Sequence, residues 1–502
     1  MRRNIVANLF GKFWSIFSNF IFIPLYIKYL GFESYSIISF SLLITGVMAI
    51  LDGGLTATLS REFSRRDYTD EYKFRIFRSL ETVYLFLAFL CIIIVFFSSD
   101  YISQHWINVK IIKQYELSSF FKIISFDIGF QLLLRFYIGG FIGLEKQVQA
   151  NIYQIFWGVF RNGLVILVVF FLPNLYAFFL WQTVSTILFT LLIKFALQKN
   201  ISVVKKININ FKIEKEILQK VGRFAGGMML ITLVSAINTQ LDKLTISKLL
   251  SIESLGYYTI AVSLSQGLII LINPITTALL PRLTSYYSNN EVKKASLLYG
   301  KFSLFVSILS FSIIVNIYLF SKDLVWIWTS NKEIAENTYK LVPIIAFSYG
   351  MMSIAMLPYS IAIANGNTKI NNFIGFFSLL ITIPGYIYFS KKNGTIGVAI
   401  VFCFVQTVTT IIYTYIINAK FLKMNFLIDI LLKQILLPFL IVVIVAFGFH
   451  ILPNYFKENR MLDLIWIGLS TLVTIFITTI VFVPIAELKS NLPSLKLKKN
   501  GE

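Results

Sequence analysis

The chain is poor in what a soluble enzyme normally needs. It has two cysteines, two histidines, 24 acidic residues and 11 prolines among 502 positions. Cys91 and Cys403 fall in separate apolar stretches, so no disulfide framework is implied. His105 and His450 are solitary, without the clustered spacing of a metal site, and no metal or cofactor is expected. No Gly-rich turn carries the Lys-Ser/Thr that cradles phosphates, and no polar stretch is long enough for a nucleotide-binding domain. ATP hydrolysis by this chain alone is thereby excluded. The short polar connections gather no His/carboxylate constellation, so no catalytic residue is assigned and the chain is not read as an enzyme.

Hydrophobic length fills the space instead. Apolar residues make up 57% of the chain, against roughly 45–50% in soluble domains. Spans are expected near 9–29, 37–60, 80–97, 117–141, 152–172 and 174–197, then 226–248, 256–280, 302–320, 338–364, 372–390 and 394–417, and last 430–450 and 463–485. A bilayer crossing takes about 20 apolar residues, so the expectation is an all-α polytopic membrane protein of about fourteen helices. The start, Met1-Arg2-Arg3 before a long apolar run, reads as a retained first helix. With both termini in the cytoplasm, most of the 45 Lys and Arg residues fall in the tails and even-numbered connections. That is the asymmetry of the positive-inside rule, and it accounts for much of the +21 charge without a nucleic-acid partner.

Landmarks in the first six spans return in order about 220 residues later. Glu33-Ser34 is echoed by Glu253-Ser254, Asp52 by Asn273, Thr56 by Thr277, Arg61 by Arg282, and Gly143-x-x-Lys146 by Gly366-x-x-Lys369. Six spans per copy is an even number, so both copies have the same orientation. Two six-helix lobes in parallel repeat are expected, with a cleft between them. The expected boundaries are a first lobe over 1–200, a basic linker over 201–224, a second lobe over 225–420, and two added helices with a basic tail over 421–502. Glu33 and Glu253 are read as acidic caps at the starts of spans two and eight.

Polar residues run along several spans at helical spacing. Span one carries Asn8, Ser15 and Asn19; span two carries Ser41, Thr45, Asp52 and Thr56; span four carries Asp127, Gln131, Arg135 and Gly139; span five carries Gln154, Gly158 and Arg161; span seven carries Ser235, Asn238 and Asp242, with Lys243 adjacent. A charge in hydrocarbon costs from about 2.5 to more than 10 kcal/mol, so each faces a partner or water. Asp127 and Arg135 are separated by two helical turns, about 12 Å, and cannot pair with each other. Asp52 and Asp127 fit interhelical ion pairs as well as a functional role. Arg135, Arg161 and Lys243 are expected to line a cavity, with Arg61, Arg223 and Arg282 at its cytoplasmic mouth. Gly53-Gly54 and Pro274, Pro343, Pro358 and Pro384 permit bends within spans.

The stretches Asn8-x-x-Gly11, Tyr29-Leu30-Gly31-Phe32-Glu33-Ser34-Tyr35, Asp52-Gly53-Gly54-Leu55 leading to Arg61-Glu62, Gln240-Leu241-Asp242-Lys243-Leu244 and Leu255-Gly256-Tyr257-Tyr258 carry a family likeness. On them the chain resembles the bacterial polysaccharide-unit flippases of the multidrug/oligosaccharidyl-lipid/polysaccharide exporter superfamily. The resemblance implies transfer of an undecaprenyl-diphosphate-linked oligosaccharide from the cytoplasmic to the periplasmic leaflet of the inner membrane, for O-antigen or capsule assembly. It also implies two lobes that alternate in access, an ion gradient of H+ or Na+ as driving force, and partners among membrane lipids and polysaccharide polymerase machinery. In that picture Arg61, Arg135, Arg161, Lys243 and Arg282 attract the diphosphate, and Asp52, Asp127 and Asp242 couple to the ion. A multidrug/cation antiporter and a peptidoglycan-precursor flippase share the implied fold, and a membrane glycan polymerase is a more distant alternative.

Overall fold

The computed structural model describes Ser18 and residues 20–65, 67–201, 214–367 and 369–482. Asn8, Gly11, Ser15 and Asn19, most of the basic linker and the C-terminal tail lie outside the described residues, as do the side chains of Arg223 and Ser235. Among the described residues the secondary structure is helical throughout, with no strand.

Among the described residues, eleven helices are long and apolar enough to cross a membrane. The longest, Lys369–Leu422, contains Gly394 at φ 61° and turns there, which makes it two passages. With these and the helices Phe20–Leu30 and Lys215–Leu249, the fold is consistent with the fourteen passages expected. By density of contacts the chain groups into two compact units, residues 1–260 with 372–402, and residues 261–371 with 403–502. The grouping does not follow the repeat boundaries at 200 and 225, because the start of the second repeat packs on the first.

The first unit contains α1 (Phe20–Leu30), α2 (Phe32–Met48), α3 (Leu55–Phe63), α4 (Asp70–Tyr101), α5 (Gln114–Gly143), α6 (Gln147–Gly158), α7 (Val165–Phe171), α8 (Leu175–Asn200) and α9 (Lys215–Leu249), with the beginning of α10 (Ile252–Ser265). Side chains begin two of these helices: Thr69 accepts from the Tyr72 N–H, and Asn174 from that of Ala177. At its centre α5 packs against α3, α4 and α8. Between α4 and α5 the packing is aromatic, with Tyr84 stacked on Phe136 at 4.3 Å and Phe77 on Phe136 at 6.0 Å. Glycine sets the approach of α3 to α5. A Cβ on Gly143 would lie 2.6 Å from the Ser60 carbonyl oxygen, and one on Gly139 would lie 2.5 Å from the Thr56 methyl. Small residues at this spacing let membrane helices touch by their backbones.

The polarity of α8 is that of a helix in lipid. Leu180, Val184, Leu188, Leu191 and Phe195 are exposed, whereas Gln182, Thr183, Thr186 and Thr190 are buried. The buried hydroxyls bond their own preceding carbonyls and reach α5, where Thr183 and Thr190 donate to the Ile123 and Phe130 carbonyls. Lipid is as apolar as leucine, so helix association rests on close packing and such bonds.

The second unit contains the end of α10, then α11 (Gly267–Ser288), α12 (Val292–Leu319), α13 (Ser321–Thr329), α14 (Lys332–Thr338), α15 (Leu341–Ala364), the later part of α16 (Lys369–Ile417), α17 (Leu437–His450) and α18 (Arg460–Phe482). Here α12 packs against α15, α17 and α18. The buried Asn316 on α12 accepts from Ser470 at 2.5 Å and donates to Thr474 at 3.4 Å, which ties the appended α18 to the repeat.

Candidate functional site

The second span is broken where its polar stripe reaches Asp52. After α2 the chain makes a tight 3-10 turn over Ala49–Asp52, and Gly53 and Gly54 follow with φ of 53° and 76°. Two successive left-handed residues end one helix and start another, and only glycine takes them without strain. The Asp52 carboxylate crosses the break, accepting from the N–H groups of Gly54 (3.2 Å) and Thr56 (3.3 Å) and from the Thr56 hydroxyl (2.5 Å). Since the Thr56 hydrogen is given to Asp52, the buried Tyr84 hydroxyl donates to Thr56 at 2.6 Å. Asp52 thus caps α3 inside the bundle.

Arg135 faces this break from α5, within reach of the Asp52 charge. Its side chain is exposed, although its helix neighbours on both sides are buried. It makes no ion pair among the described residues.

Asp127, eight residues earlier on α5, lies in a closed cluster. One of its oxygens accepts from Arg161 at 2.7 Å and Gln131 at 2.8 Å, and the other from Thr186 at 2.6 Å. The side chains of Arg161 and Asp127 are only 12% and 7% exposed. Arg161 therefore differs from the expectation of a cavity-lining cation: a buried carboxylate captures it, and its guanidinium also lies 5.5 Å from the Trp157 ring. Its backbone belongs to a wide π-turn over Val159–Gly163, which interrupts the span between α6 and α7. Such one-turn widenings re-aim a side chain at a helix position where regular geometry would not place it.

Asp242 and Lys243, adjacent on α9, pair with each other. The ammonium bends back to Asp242 at 3.5 Å and to the Thr239 carbonyl at 3.0 Å, and Tyr258 donates to the other Asp242 oxygen at 2.9 Å. Arg61 is exposed at the end of α3, 3.8 Å from Glu62. In the second unit Arg282 is exposed on α11 and leans on Tyr286. The repeat of the Asp52–Thr56 bond is visible on that helix, where Thr277 donates to Asn273 at 3.0 Å. There Pro274 follows the amide and α11 runs on unbroken.

Sequence reasoning missed a further cluster at the other end of α5. Buried Glu81 on α4 accepts from Tyr137 at 2.8 Å and pairs with Lys194 of α8 at 3.0 Å. The signal was an acid and a base at the same depth, each at the edge of an apolar run. Glu33 also departs from expectation. Its carboxylate accepts the N–H groups of Lys110 (2.7 Å) and Ile111 (3.0 Å) in the connection from α4 to α5 and does not cap α2. An ionised carboxylate gains strong charge-assisted bonds from two converging backbone amides.

Comparison with known proteins adds the family context. Residues 1–287 match the model of a family described as polysaccharide biosynthesis protein, and residues 225–387 match the MatE family model. A Shigella flexneri protein named "Putative O-antigen transporter" is 22% identical over 404 residues, covering 79% of this chain and 93% of that protein. Among solved structures, the lipid II flippase MurJ in an inward closed conformation aligns at TM-score 0.72 and 16% identity, over 96% of this chain and 99% of MurJ. An inward-facing multidrug-resistance MATE transporter of the MOP superfamily aligns at TM-score 0.66 and 15% identity, over 81% of this chain and 95% of that one. These structural likenesses establish the fold.

Proposed function

Because the chain belongs to the polysaccharide biosynthesis protein family, within the MOP superfamily, we propose that it is a flippase for undecaprenyl-diphosphate-linked oligosaccharide repeat units, moving them from the cytoplasmic to the periplasmic leaflet of the bacterial inner membrane. The observation that carries this reading is Arg135, an exposed guanidinium without an ion pair in the middle of a spanning helix, facing the break in span two. A diphosphate is an anion that such a group recognises by charge-assisted hydrogen bonds, and a neutral or cationic drug gains nothing from it.

Within the first unit Arg61 adds a cationic contact, while Arg161 and Lys243 serve by holding Asp127 and Asp242. Transport runs by alternating access driven by an ion gradient. Asp52 is the coupling carboxylate, since the charges of Asp127 and Asp242 are already matched by Arg161 and Lys243. The termini face the cytoplasm, and the export is coordinated with polymerase machinery on the far side.

The test is a deletion strain complemented with the native chain or with Arg135→Gln. Native complementation restores surface glycan; Arg135→Gln inserts normally but leaves lipid-linked repeat units in the cytoplasmic leaflet. Full surface glycan from Arg135→Gln would refute the diphosphate role, and normal glycan in the uncomplemented deletion would refute the substrate.

A further inference from the structure

A second polar site lies at the end of the first unit where α4 gives way to α5. A wide π-turn over Ile102–Trp106 and the connection that follows border an open basin of about 830 Å³, within the usual volume range of small-ligand pockets. Asp100, Gln104, Lys110, Lys113, Tyr115 and Lys122 line it. Three lysines and one carboxylate are in the lining, and that carboxylate is committed: Asp100 accepts from Ser118 and from Lys122 at 3.2 Å. Lys113 has no carboxylate partner among the described contacts, and its ammonium lies 5.8 Å from the Tyr115 ring. That ring is 65% exposed. The basin thus offers an open cation, an aromatic face and amide and hydroxyl groups together.

This connection is also held from three directions. Glu33 of α2 accepts two of its N–H groups, Lys248 of α9 donates to the His105 carbonyl at 2.7 Å, and the Ile252 N–H of α10 donates to the Asn108 carbonyl at 3.2 Å. A lining fixed in advance loses little freedom on binding. One basin residue reaches out of it: the Lys110 ammonium meets Glu253 of α10 at 2.6 Å. Around this pair the first repeat touches the second, with Phe32 stacked on Tyr257 at 4.5 Å and Trp106 donating to Ser247 at 3.1 Å.

We propose that the basin binds an anionic sugar, with a carboxylate or phosphate beside its hydroxyls, and that the bound anion competes with Glu253 for Lys110. The ligand's charged oxygens take Lys113 and Lys110, its ring lies on Tyr115, and its hydroxyls meet Gln104 and Ser119. The basin stands without the flippase reading, but on that reading it occupies the release face. The starts of α2, α5 and α10 then lie at the periplasmic side, and an arriving glycan loosens a contact between the repeats. An anionic lipid headgroup carries the same oxygen chemistry, and the experiment separates the two sources.

Full-length protein in phosphatidylcholine nanodiscs is titrated calorimetrically with a hyaluronan tetrasaccharide, which carries carboxylates, and with neutral maltotetraose. The anionic sugar is expected to bind at least about tenfold more tightly, and Lys113→Gln to remove about that factor, as loss of a charged hydrogen bond does. Glu253→Gln frees Lys110 and should tighten binding several-fold. Equal affinity for both sugars, or indifference to Lys113→Gln, would overturn the site. Unchanged or weaker binding by Glu253→Gln would overturn the competition. Tetrasaccharide binding abolished by phosphatidylglycerol in the disc would reassign the basin to lipid. Lys113 is exposed and outside the spans, so its variant folds, and export through Arg135 is read separately.

Discussion

Asp127 and Asp52 lie on packed helices of the same unit, each with an arginine nearby, and their fates are opposite. Asp127 is enclosed: Arg161, Gln131 and Thr186 use up its oxygens, and the pair is nearly neutral to its surroundings. Asp52 is half-buried and spends its acceptors on a helix break, so the arginine facing it keeps its donors. A buried charge in a membrane protein is thus no guide to its role. The number of donors that reach it decides, and whatever cation is left over can act.

The comparison breaks first at the closed cluster. Asp127→Ala strands Arg161 in a low-dielectric site and should cost about 3–5 kcal/mol, read as a large fall in melting temperature in detergent. Asp127→Asn combined with Arg161→Gln should lose much less than Asp127→Ala alone. Next comes the helix contact that brings Asp52 and Arg135 together. Gly143→Ala forces α3 off α5 against a backbone carbonyl and should cost about 1–3 kcal/mol, as overpacking does, in the same melting assay. Asp52→Ala removes the cap at the break and should cost about 1 kcal/mol, with faster amide exchange at Gly54 to Thr56. Arg135→Gln should change stability by less than about 0.5 kcal/mol, as substitutions away from buried contacts do. The comparison would collapse if Arg135→Gln melted the protein as badly as Asp127→Ala.

Much of this architecture was legible along the chain. The spans follow from apolar length, and the α5 stripe was visible as Asp127, Gln131, Arg135 and Gly139 at every fourth position. That spacing already required Asp127 and Arg135 to find different partners. It did not name Arg161, because the partner lies 34 residues away on a turn of π geometry. Helical-wheel reasoning assumes a regular 100° step, and Val159–Gly163 departs from it. Nor did the sequence pair Asp242 with its neighbour Lys243, whose stem is long enough to fold back one residue. Glu33 was misjudged for another reason: its first-turn position satisfied a local rule, while the donors it found belong to a connection 77 residues on.

Two kinds of information therefore meet in this protein. Apolar runs of bilayer length, charge concentrated on alternate connections and recurring landmarks were sufficient to dictate a duplicated helical membrane bundle of the exporter type, because lipid leaves a backbone few other ways to satisfy its hydrogen bonds. Which arginine is neutralised, where span two breaks, and how the α4–α5 connection is pinned depend on atoms brought together from distant helices. Those contacts act over a few ångströms, so folding alone could decide them.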